Sequence, residues 1–133
     1  MNDSFEKTPV ILLDKKKSRI RIHRQTLHLM GDPQFVVFLV NPEQRAIALC
    51  KSCKDDKLAH KIDWDRLSGH TCCEVYSTGL MRALESLCPH LSSAFSYRIA
   101  GRMIPHFGIA QFKVDESVAI DCALPSSLEV KYG

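Results

Sequence analysis

Two stretches of this chain alternate strictly between apolar and polar residues, and each is followed by the same series of elements. In the first, Ile20 and Ile22 face one way while Arg19, Arg21 and His23 face the other, the period of a half-buried strand. A short helix is expected over Gln25 to Met30, where Leu27 and Met30 share a face and Gly31 and Pro33 supply the stop. Phe35 to Val40 is an apolar run rich in β-formers, read as a strand buried on both faces or capped by a partner. Asn41-Pro42-Glu43-Gln44 has the chemistry of a type I turn, and Ala46 to Leu49 is the returning strand.

In the second stretch Cys73 and Val75 alternate with Glu74 and Tyr76, and Ser77 or Thr78 caps a helix carrying Leu80, Leu84, Leu87 and Cys88, closed by Pro89. Phe95, Tyr97 and Ile99 then alternate as a strand. Gly101 to Phe107 is read as a loop, and Ala110, Phe112 and Val114 as the return strand. An offset of 53 places Ile20, Ile22, Leu27 and Met30 on Cys73, Val75, Leu80 and Ala83, all apolar or small. A unit of this size cannot bury its apolar faces alone, so two units in one chain complete each other.

The expected fold is therefore α+β: two strand, helix, hairpin repeats forming one compact β-rich domain about a pseudo-twofold axis. The expected boundaries are an arm over 1–17, a first repeat over 18–50, a connector over 51–71, a second repeat over 72–122 and a tail over 123–133. Trp64, the only tryptophan, is expected to pin the connector to the body.

At 133 residues, with 45% hydrophobic and 25% charged residues, the chain has the size and composition of one globular domain rather than a disordered or fibrous one. No apolar run is long enough to span a membrane, and Met1 to Lys7 lacks the pattern of a leader, so a cytoplasmic protein is expected. Six cysteines in that setting read as reduced thiols rather than a disulfide scaffold. The net charge of +3 is unevenly spread: residues 1–70 hold 13 Lys/Arg against 9 Asp/Glu, and residues 71–133 hold 5 against 6.

Residues 18–50, with IRIHRQTLHLMGDPQFVVFLVNPEQRAIAL, resemble the strand, helix, Gly, hairpin unit of the AbrB/SpoVT and MraZ-type swapped-hairpin domains. The resemblance covers about a quarter of the chain well and the second half in outline. It departs at His23, where that family usually has proline, and in a first hairpin less charged than theirs. It implies a swapped-hairpin-like barrel and a transcription regulator that binds DNA through basic residues near the first strand and helix.

The residues themselves offer three chemistries. Lys15, Lys16, Lys17, Arg19, Arg21 and Arg24, with His23, present cations on alternate strand positions, a pattern that holds phosphates or simply guards and solvates a strand edge. Cys50 and Cys53, followed by His60, His70, Cys72 and Cys73, have an approximate zinc-ligand spacing, against which buried thiols are the plainer reading. His90, His106 and Cys88 belong to no catalytic motif, so no enzyme and no cofactor is expected. The partners to consider are DNA, and another protein or a second copy docking through Val10 to Leu13.

Overall fold

The computed structural model describes residues 8–89, 91–104 and 106–120; the first seven residues, His90 and the tail expected over 123–133 lie outside them. In chain order the elements are β1 (Val10–Asp14), β2 (Arg19–His23), α1 (Arg24–Leu29), β3 (Phe35–Asn41), β4 (Ala46–Lys51), β5 (His60–Lys61), α2 (Trp64–Leu67), β6 (Cys72–Tyr76), α3 (Thr78–Leu87), β7 (Ser96–Ala100), β8 (Arg102–Ile104), β9 (Ile109–Lys113) and β10 (Val118–Ile120). The strands make two antiparallel five-stranded sheets, ordered β10-β7-β1-β2-β6 and β5-β3-β4-β9-β8. The strand-rich mixed class expected from the alternation is observed. A closed barrel is not, because neither sheet joins its two edges among the described residues.

Alternation explains which side of each sheet is dry. Ile11, Leu13, Ile20, Ile22 and Ile99 from the first sheet, and Ile47, Leu49, Ala110 and Phe112 from the second, are fully buried and belong to one apolar cluster. Burying a side chain of this size is worth about 1.5–3 kcal/mol, so these strands are set by their inner faces. The helices add to the same cluster. Ser77 Oγ accepts from Leu80 N at 3.1 Å to start α3, which buries Leu80, Met81 and Leu84. In α1 the buried Thr26 hydroxyl donates to Val10 O at 3.0 Å and accepts from Val10 N at 2.8 Å, tying the helix to the first strand. Trp64 Nε1 donates to Pro33 O at 2.9 Å, so the connector is pinned by its tryptophan as expected.

Three expectations are corrected. Val10 to Leu13 is neither an edge strand nor a segment free to dock a partner: β1 pairs with β2 on one side and β7 on the other, with Ile11 and Leu13 in the core. Four apolar residues in a row read as a sticky end because the sequence does not show the two strands that flank them. β3 is not buried on both faces, since only its inner side packs and Leu39 is 54% exposed. The second hairpin is not built from the strand at Phe95 to Ile99, because β7 stays in the first sheet beside β1, and β8 with β9 makes the hairpin in the second.

The change of sheet occurs at Gly101. Its N–H continues the first sheet by donating to Pro9 O at 2.9 Å, and the next residue already pairs with Gln111 in the second. A Cβ here would stand 2.1 Å from Gln111 O and 2.6 Å from the Phe112 ring, both fixed in the interior. Gly101→Ala is therefore expected to cost about 3 kcal/mol by overpacking. Gly69→Ala, where a Cβ meets nothing within 4 Å, serves as the neutral control. Thermal melts of the two variants check this.

Candidate functional site

The outer face of the first sheet carries the basic strand, and its register decides which charges are available. Asp14, Arg19 and Tyr76 stand in one cross-strand row, and Arg98, Leu12, Arg21 and Glu74 in the next. Arg19 Nη2 lies 2.9 Å from Asp14 Oδ2 and Nη1 lies 3.1 Å from Glu74 Oε2, leaving its side chain only 13% exposed. Burial alone would lower its pKa. The hydrogen bonds to Asp14 and Tyr76 and the charges of Glu74 and Asp14 outweigh that and hold the guanidinium above its ordinary value. The same Glu74 oxygen is 3.3 Å from Arg21 Nε, an ion pair by distance without hydrogen-bond alignment. Arg21 keeps a side chain 41% exposed.

The expected phosphate contacts thus divide. Arg19 is a structural cation bridging three strands. Lys15 is another, because its amine donates to Leu91 O and sits 3.8 Å from Glu85, with 11% of the side chain exposed. Lys16 and Lys17 are exposed in the β1–β2 turn. Arg24 is half-buried at the start of α1, after His23 Nδ1 has accepted from Gln25 N at 3.1 Å as the cap. Lys16, Lys17 and Arg24 have no ion pair among the described residues. Arg98 was not anticipated: it is exposed on β7, two strands from Arg21 in the same row, with Leu12 between them. It lies outside the basic first half, and no local pattern singles it out.

The zinc reading is not met. Cys50 is on β4 in the second sheet, Cys53 is in the loop after it, and Cys72 and Cys73 are on β6 in the first sheet, pointing to opposite faces. Among the described residues no three His, Cys, Asp or Glu side chains come together as a metal site. Burial pushes the Cys50 thiol up. Burial also raises Cys73, with the charges of Asp63, Cys72 and Glu74 adding to it against Arg66. Thiols held protonated in this way are poor nucleophiles and poor ligands.

A second feature escaped the sequence reading. β6 is the last strand of the first sheet, and beside its free edge lies a cleft of about 320 Å³ walled by β6 and the segment around α2. Leu67, Cys73 and Tyr76 supply its apolar surface, and Lys61, Asp63, Arg66 and Glu74 its charges. No helix among the described residues is long and apolar enough to cross a membrane. No family model, curated protein or solved structure matches this chain.

Two measurements test this geometry. Arg19→Gln leaves the Asp14 and Glu74 carboxylates facing each other across β2, and is expected to lower stability by about 1–2 kcal/mol in urea melts. Lys16→Gln is expected to change it by less than about 0.5 kcal/mol. Burial lowers the pKa of His60, which packs edge-on to Phe38 at 6.1 Å. The unfolded chain therefore takes up a proton before the folded one does. Stability is complete above the ordinary histidine value of about 6.5 and falls as pH drops below it. His60→Gln should flatten that loss in melts recorded between about pH 7 and pH 5.

Proposed function

We propose that this chain is a non-catalytic nucleic-acid-binding domain of the transcription-regulator type, in which two strand, helix, hairpin units are related by a pseudo-twofold axis. The observation that carries the reading is the set of cations left without a carboxylate on and around the outer face of the first sheet. These are Lys16 and Lys17 in the turn, Arg24 at the helix start and Arg98 on β7, none with an ion pair among the described residues, joined by the exposed part of Arg21. Exposed lysine and arginine on one face gain affinity for a polyanion by releasing its counterions.

Two pairings support the duplicated arrangement. β2 runs antiparallel to β6, and the offset of 53 that aligns the first strand and helix of each half carries Arg21 onto Glu74, the residue directly opposite it. That is the relation expected of a twofold axis passing between the two strands. In the second sheet the hairpins β3–β4 and β8–β9 meet along β4 and β9. Both pairings fit the swapped-hairpin resemblance of residues 18–50.

In this reading Lys15 and Arg19 hold the fold, and Lys16, Lys17, Arg21, Arg24 and Arg98 meet phosphate. The test is fluorescence anisotropy of a labelled DNA duplex titrated with the full chain over a range of salt. Affinity is expected to fall log-linearly with salt. Replacing Lys16 and Lys17 together by Gln should reduce the slope by about 1 for each phosphate that is no longer neutralised. Absence of binding at low salt, or a slope unmoved by replacing Lys16, Lys17, Arg21, Arg24 and Arg98 by Gln, defeats the proposal.

A further inference from the structure

We propose that the free edge of β6, which borders the cationic face, is a strand-addition site for an extended acidic peptide, a proposal independent of the nucleic-acid reading. Backbone hydrogen bonds establish which groups are available. Arg24 N donates to Thr71 O at 2.7 Å and Ser77 N to Ser18 O at 3.0 Å. The register between those bonds makes Ile22 with Cys73 and Ile20 with Val75 the hydrogen-bonded pairs. Cys72, Glu74 and Tyr76 consequently direct their N–H and C=O groups away from β2, toward the cleft. They have no other backbone partner among the described residues.

This edge carries few of the usual protections, Glu74 being its one charged residue and the segment around α2 standing off across the cleft. Proteins guard sheet edges by keeping them short or by placing lysine, proline or a bulge on them. Among the described residues the other three edges follow the first device: β5 has two residues and β8 and β10 three each. β6 has five residues, with neither lysine nor proline, and its five consecutive pairs with β2 leave no bulge. At about 320 Å³ the adjoining cleft is at the lower end of the range for ligand pockets, about 300–1,000 Å³, and elongated peptide side chains suit it better than a bulky metabolite.

Charge selects the occupant. Glu74 is already engaged by Arg19 and Arg21. Asp63 caps α2, accepting from Arg66 N at 3.2 Å, and keeps its negative charge. Lys61 and Arg66 line the cleft and have no ion pair among the described residues; against them stands Asp63 alone once Glu74 is engaged, which leaves a surplus of one positive charge beside the edge. A strand that adds to β6 satisfies the outward backbone groups and sets alternate side chains toward the cleft, where carboxylates meet Lys61 and Arg66.

The experiment titrates the full chain against two fluorescein-labelled peptides, one of repeating Val-Glu and one of repeating Val-Lys, with anisotropy as the readout. Saturable binding of Val-Glu in preference to Val-Lys is expected. Proline at position 74 removes an outward N–H and leaves the inner ladder intact, as edge strands allow. Glu74→Pro should therefore weaken binding about tenfold relative to Glu74→Ala, which loses the same carboxylate but keeps the N–H. Lys61→Glu with Arg66→Glu, both exposed, should reverse the preference between the peptides, and decides the matter if the proline variant fails to fold. Equal binding by the proline and alanine variants, no saturable binding of Val-Glu, or an unchanged preference in the charge-reversed protein overturns the proposal. So does a concentration-dependent dimer in sedimentation that Glu74→Pro abolishes, since it would assign the edge to a second copy of this chain.

Discussion

Everything in the second sheet beyond β4 depends on the chain's being able to leave one sheet and enter the other within a single residue. Gly101 makes this possible because its missing side chain is the space that Phe112 and the Gln111 carbonyl occupy. From that corner β8 and β9 reach the edge of β4, and Ala110 and Phe112 close the core over Leu49 and Ile47. Sheet-to-sheet packing elsewhere is general apolar burial, tolerant of exchange among residues of similar volume. At the corner it is a backbone approach, which only one residue type fits.

Periodicity made the strand-rich class readable from residues alone. Ile20 and Ile22, and Cys73 and Val75, are the inner positions of β2 and β6, and the turn at Asn41 to Gln44 falls between β3 and β4, where its Asn41 side chain accepts from Gln44 N at 3.2 Å. What could not be read were partners distant in sequence. Val10 to Leu13 has the composition of an edge or an anchor, and only the positions of β2 and β7 make it an interior strand. β7 alternates like one arm of a hairpin, yet periodicity reports that a strand has a buried side and says nothing about which sheet it joins.

The candidate site was partly legible for the same reason. A run of lysines and arginines on alternate positions announces a cationic strand, but whether the cations are free depends on what the neighbouring strands place beside them. Here Asp14 and Glu74 arrive on either side of Arg19, and a carbonyl from the segment after α3 captures Lys15. Of the cations that remain, Lys16, Lys17, Arg21 and Arg24 belong to the run itself, and only Arg98 on β7 lies where proximity in the sequence is no guide. An open sheet edge leaves no residue signature at all, because it is defined by the strand that is missing.

The shared oxygen of Glu74 has a consequence for how such a surface diversifies. One carboxylate stands within ion-pair distance of two guanidinium groups from the adjacent strand, so the net charge of that part of the sheet is controlled from β6 as well as from the arginines themselves. Exchange of a single acidic codon would leave Arg21 without its carboxylate and Arg19 with Asp14 alone, without altering the basic strand. Related domains could thereby differ widely in electrostatic character while keeping β2 unchanged, and a comparison of basic residues alone would miss the difference.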